Sequence, residues 1–157
     1  MAYPDDLLEQ ALHLARRESK RPRQTSLRRA ISTAYYALFH LLIAEAVSNW
    51  RIPAQRPLLA RIFQHKGMND ASGRAASSAF ADADPRLVAH LRNVASAFKQ
   101  LYQDRQTADY DNATEWSRTE VLTQIGLVQD AFASWRAIRN QAIANDYLLS
   151  LFVKDRQ

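Results

Sequence analysis

An all-α fold, an up-and-down bundle of four long helices plus short extra helices, is what this sequence predicts. Three observations carry that expectation. Apolar residues recur at steps of three and four along most of the chain, the spacing that lines one face of a helix. Only 3 of the 157 residues are glycine, which leaves few left-handed turns for hairpins or phosphate-cradling loops. Helix-start signals stand at Pro4, at Asp84-Pro85 and at Ser117. The length predicts a single domain over residues 1–157, long enough to bury a core without staples.

The elements follow in order. Pro4 with Asp5 and Asp6 opens the first helix, because proline fits the first turn and acids favour the positive end of the helix dipole. Leu7, Leu8, Ala11, Leu12 and Ala15 make its apolar stripe, and Pro22 ends that segment or follows its end. Thr25 or Ser26 is expected to cap the second helix, which runs to about Asn49. From Ala34 onward that helix is apolar round most of its circumference, as befits one covered by several neighbours or by a partner chain. Pro53 and Pro57 break the next stretch, with a short helix expected over Pro57–Phe63. Residues 64–83 read as a partly helical, mobile connection with a short helix around 70–80. Asp84-Pro85 starts a long helix reaching about Gln106, and Thr107–Trp116 reads as an acidic loop. Ser117 and Glu120 form a capping box for a helix ending near Asn145, and Tyr147–Val153 makes a last short one.

Composition excludes several function classes. There is no cysteine, so disulfides, thiolate nucleophiles, Cys-ligated zinc and iron–sulfur clusters are out. The net charge of +5 is unevenly placed: residues 16–29 hold seven basic residues and one acid, Glu18. Residues 104–120 hold five acids and two arginines. A basic cluster can meet nucleic acid, an anionic membrane or an acidic partner, and it equally suits a solvated helix end with a polar turn. No signal peptide is visible in the acidic start. The longest apolar-rich stretch, Ala34–Val47, is 14 residues and carries His40 and Glu45, short of the roughly 20 a spanning helix needs. The expectation is a soluble, cytoplasmic protein with no membrane partner.

No P-loop, dinucleotide fingerprint, H-E-x-x-H or G-x-S-x-G occurs. The histidines at 13, 40, 65 and 90 do not pair at ligand spacing, so no metal and no cofactor is expected. One arrangement stands out: Arg29, Tyr36 and His40, with Thr33, fall on one face of the second helix. Such a polar line either forms part of a site or ties the bundle together. A second is Arg105 followed by Asp109 and Tyr110, where a helix runs into the acidic loop. It suits a helix-end cation with an ion pair, or a guanidinium clamp for phosphate.

These residues carry a resemblance. The run from Ser26 through Arg28, Arg29, Tyr35 and Tyr36 to His40 resembles the RRA-x-S-x-AYYA-x-FH signature of HEPN-domain proteins. His65-Lys66-Gly67 resembles the H-x-G element of the same subgroup, and Arg105 through Tyr110 its R-x-x-A-D-Y element. The likeness spans about residues 24–140. It implies an up-and-down helical bundle that forms homodimers. Many HEPN domains are metal-independent ribonucleases that use an Arg and a His with four to six residues between them at the dimer interface. They occur in toxin–antitoxin pairs beside nucleotidyltransferases and in phage defence, while others serve as RNA-binding or interaction modules.

This chain departs from the nuclease spacing: Arg61 to His65 and Arg86 to His90 have only three residues between them. Three readings follow. The first is a dimeric HEPN-like module binding RNA or a protein partner, such as a nucleotidyltransferase-type antitoxin, through Arg28, Arg29, Tyr36, His65 and Tyr110. The second is a divergent, metal-independent RNA endonuclease with Arg105, His40 and Asp109 as catalytic residues and Arg29 beside them, in which Arg105 stabilises developing charge and His40 or His65 shuttles a proton. The third is a purely structural dimerisation domain.

Overall fold

The computed structural model describes residues 2–153. Helix α1, Tyr3–Ala15, starts as expected, with Pro4 in its first turn and Asp5 and Asp6 behind it. Ala11 and Ala15 are its buried contacts, small enough to bring α1 close against the next helix, α2, Gln24–Ser48. The turn between them is organised by the one acid of the basic stretch. Glu18 accepts the Arg23 backbone N–H at 2.7 Å and the Ser26 hydroxyl at 2.9 Å, and Arg118 donates to the Ala15 carbonyl at 3.0 Å and to that of Glu18.

Neither Thr25 nor Ser26 caps α2. The helix begins earlier, with Arg23 in the N-cap place and no side-chain cap bond. Ser26 lies inside the helix, buried, because its hydroxyl has a better partner in Glu18. Leu27, Ala30, Ile31, Ala34, Tyr35, Leu38 and Leu42 are fully buried, and α1, α5 (Pro85–Tyr110) and α6 (Arg118–Ile138) all pack on α2. Helix α2 contains an 18-residue stretch apolar enough to cross a membrane by length and composition alone. Its burial beneath three neighbours is that of a core helix.

A short 3-10 turn at Pro53–Gln55 and α3, Arg56–Ala60, occupy the place of the single helix expected over Pro57–Phe63. Helix α4, His65–Ser77, replaces the partly mobile connection expected for 64–83. It buries Met68, Ala71, Ser72 and Ala75, a stripe of mostly small residues that lies close on α5. Helix α5 starts where Asp84 accepts the Arg86 N–H at 2.9 Å and continues through Tyr110, past the expected end at Gln106. The capping box of Ser117 and Glu120 opens α6, with both reciprocal bonds made. Helix α6 stops at Ile138, short of Asn145, and α7 covers Ala142–Ser150 rather than Tyr147–Val153.

Among the described residues the fold is all-helical, with seven α-helices and no strand. Its centre holds Trp135, Tyr35, Tyr147 and Phe98, all at most 1% exposed. Burying a large apolar side chain contributes roughly 1.5–3 kcal/mol. The Tyr147 hydroxyl meets the buried Ser72 hydroxyl at 2.6 Å, which joins α7 to α4.

Candidate functional site

The second half of α2 places Tyr35, Tyr36, Phe39 and His40 on adjacent positions of its surface, since residues about four apart share a face. Against this aromatic patch fall the first residue of α4, His65, and the last turns of α5, with Arg105 and Asp109. Residues separated by many turns of chain therefore meet at one place.

Arg105 is the hub. Its Nη1 donates to the Tyr36 hydroxyl at 3.2 Å and lies 3.7 Å from the Asp109 carboxylate. Its guanidinium carbon sits over the Tyr35 ring at 5.2 Å and the Tyr36 ring at 5.6 Å, within the range of cation–π attraction. Only 13% of its side chain is exposed, yet Nε is buried with no partner. A guanidinium carries five N–H donors in a fixed fork, so most of this one's donors remain unused.

His65 stacks on Phe39 at 4.2 Å, with 15° between the planes. Its Nδ1 lies 2.7 Å from the Tyr35 hydroxyl. Burial drives the Tyr35 phenol well above its ordinary pKa, so the hydroxyl keeps its proton, and it is the donor whenever His65 carries its own proton on Nε2. Burial lowers the pKa of His65, helped by the charges of Arg105 and His40. Burial alone lowers that of His40. Both imidazoles are therefore neutral at pH 7. The His40 ring packs 6.1 Å from Tyr36 and 5.1 Å from Tyr3 of α1.

The structure thus brings together Arg105, His40, Asp109, Tyr36 and His65, and sets three other predicted residues apart. Arg28 directs its guanidinium onto backbone carbonyls of Ala108, Asp111 and Thr114, at 2.8, 2.7 and 2.5 Å. Those bonds tie off the C-terminus of α5. Tyr110 is 76% exposed at the end of α5. Arg29 is exposed two turns before Tyr36 and lines a groove against α1 with Thr33. The expected polar line is divided along its length: Arg29 and Thr33 line that groove, while Tyr36 and His40, farther along the same side of the helix, belong to the cluster.

Sequence reasoning missed Tyr35 and Phe39 as the floor of the site, and Ser32, whose hydroxyl reaches Asp109 at 3.4 Å. Tyr35 falls in the helical apolar spacing and reads as an ordinary core position, and Phe39 lies outside that spacing. Among the described residues no group of three His, Asp or Glu side chains gathers as a metal site would. Comparison with known protein families, with curated proteins and with solved structures yields no match to this chain.

Proposed function

We propose that the chain is a HEPN-like module, an up-and-down bundle whose long helices are α1, α2, α5 and α6, and that it acts as a homodimer binding RNA at the Arg105 cluster. The observation that carries this reading is the under-used guanidinium of Arg105, mostly buried with Nε unpartnered and set among aromatic rings. A fork of free donors suits a phosphodiester, and the neighbouring rings suit an unstacked base. Neutral His65 and His40 add donors without crowding a second cation beside Arg105. A toxin–antitoxin or phage-defence setting, with a nucleotidyltransferase-type protein as a further partner, belongs to the same proposal.

One observation favours a second reading, a metal-independent RNA endonuclease. Two imidazoles with lowered pKa flank one arginine. In that scheme a neutral imidazole takes the proton of a ribose 2′-hydroxyl as its oxygen attacks the adjacent phosphorus. Arg105 faces the charge that develops on the phosphoryl oxygens. The other imidazole, protonated in the field of the bound phosphate, gives its proton to the departing 5′-oxygen. The products are a 2′,3′-cyclic phosphate and a 5′-hydroxyl.

The test is incubation of purified protein with structured RNA, beside Arg105→Ala and His40→Ala. Binding that weakens steeply with salt and is lost in Arg105→Ala supports the module reading. Cleavage insensitive to chelator and abolished by either substitution supports the endonuclease. Absent or salt-independent RNA affinity overturns both, and a monomer by sedimentation at micromolar protein overturns the dimer.

A further inference from the structure

A cavity of about 640 Å³ lies away from the Arg105 cluster, between α1 and the start of α2. Its walls carry Arg17, Arg23 and Arg29, with Gln10 and Thr33 beside them. One acid, Glu18, also lines it. Both Glu18 carboxylate oxygens are already engaged, by the Arg23 backbone N–H and the Ser26 hydroxyl. Those bonds hold its pKa below the ordinary carboxylate value, so it is a fixed structural charge. Arg29 has no hydrogen-bond or ion-pair partner among the described residues. Arg17 Nε lies 4.0 Å from the Glu18 carboxylate, so Arg23 and Arg29 give the groove its surplus of positive charge.

We infer that this groove is a phosphate-binding track for a single RNA strand, on the same side of α2 as Tyr36 and His40 of the Arg105 cluster. The inference rests on the RNA-binding reading above and assigns to the groove a separate part of the strand. Arg29, Thr33, Tyr36 and His40 follow one another at steps of four, three and four, which keeps them on one side of a helix. Arg29 and His40 are eleven residues apart, a rise of about 16 Å, so the two places are reached by different nucleotides of one strand. No aromatic side chain lines the groove. It offers donors for phosphate oxygens and no ring on which a base can stack. The rings begin one turn farther along, at Tyr36. This division matches how proteins hold single strands, with basic grooves following the backbone and aromatic residues taking bases. The absence of a ring in the groove also separates a strand from a free nucleotide, whose base the site leaves without a partner.

The experiment uses the full chain, a short unstructured single-stranded RNA of mixed sequence, and anisotropy read across a range of potassium chloride. The variants are Arg23→Gln with Arg29→Gln, and Arg105→Ala. Arg23 and Arg29 are both exposed, so superimposable melting curves are expected for the double variant. Losing two phosphate contacts is expected to make the slope of log affinity against log salt shallower by about 1.4, with weaker binding at low salt. A double variant with the wild-type slope and affinity overturns the track and leaves the Arg105 reading standing. A wild type that does not bind RNA overturns both. Loss of binding in the groove variant with none in Arg105→Ala keeps the track and overturns the cluster. Adenosine triphosphate is the free-phosphate arm: saturable binding abolished by the double variant, with the RNA slope unchanged, overturns the strand in favour of a free polyphosphate.

Discussion

The hydroxyl of Tyr35 and Nδ1 of His65 stand 2.7 Å apart although 30 positions separate them in sequence. This bond pins the first residue of α4 to the core helix and fixes the orientation of its imidazole. With Phe39 stacked on its face, His65 has little freedom, and its pKa reports on the charges around it.

Arg105→Gln is therefore expected to raise the pKa of His65. Burial is the largest cause of the lowering and remains after the substitution, so the value rises towards 6.5 without reaching it. His40→Ala is expected to move His65 in the same direction and by less, since His40 is the smallest of the three causes. Titration of the imidazole proton resonances by nuclear magnetic resonance measures both shifts. A His65 pKa that stays put or falls in Arg105→Gln shows that the guanidinium does not face the ring.

Global stability is expected to fall as the solution is acidified below about pH 6.5, the ordinary histidine value. Both His40 and His65 have pKa values lowered in the folded state. In the window beneath 6.5 the unfolded chain binds protons that the folded chain refuses, so stability rises with pH there and is lost as pH drops. Asp104 works in the opposite sense at lower pH. Burial raises its pKa, so its contribution is present below the unfolded value and is lost as pH rises through the folded one. Urea midpoints at a series of pH values check the sign, and His65→Asn is expected to flatten the slope just below about pH 6.5.

How far the fold could be read from the sequence depends on where the signal lay. Asp84-Pro85 and the pair Ser117 with Glu120 are local motifs whose partners sit two or three residues away, and both helix starts are where the motifs place them. Helix α4 was obscured because its buried stripe is mostly Ala71, Ser72 and Ala75, whose weak hydrophobicity hides a close-packed face. The end of α5 was misplaced for a different reason. Asp109 near a helix C-terminus opposes the dipole, yet Arg105 pairs with it one turn back, Ala108 is buried, and Arg28 bonds the terminal carbonyls. None of the tertiary part of that support is local in sequence. The same holds for the candidate site. Its residues could be named one by one, but the meeting of α2, α4 and α5 that joins His40, His65 and Arg105 comes from packing.

Arg28→Ala is expected to destabilise the protein by about 2–3 kcal/mol, because charged hydrogen bonds to carbonyls are worth more than neutral ones. The carbonyls of Ala108, Asp111 and Thr114 lose a common donor. Those of Asp111 and Thr114 lie near solvent and regain water, which keeps the loss below the sum of three bonds. Hydrogen exchange is expected to quicken in the last turn of α5 and the loop to Ser117, with the amides of α7 unaffected. A variant with wild-type stability and exchange means that the guanidinium is dispensable as a clasp.

Asp109→Asn is expected to tighten RNA binding while Arg105→Ala removes it. The Asp109 carboxylate lies 3.7 Å from Arg105 Nη1 and competes with any phosphate for the same fork. It is partly exposed, with 31% of its side chain accessible, so the pair is screened and worth about 0.2–1 kcal/mol. Removing the charge is therefore expected to raise affinity by roughly 1.4- to fivefold at low salt. Asparagine keeps an acceptor for the Ser32 hydroxyl, which separates the charge effect from a loss of packing. The measurement is RNA affinity by anisotropy at matched ionic strength. Weaker binding in Asp109→Asn would mean that the carboxylate positions Arg105 for its ligand, and that the ion pair is part of the site rather than its competitor.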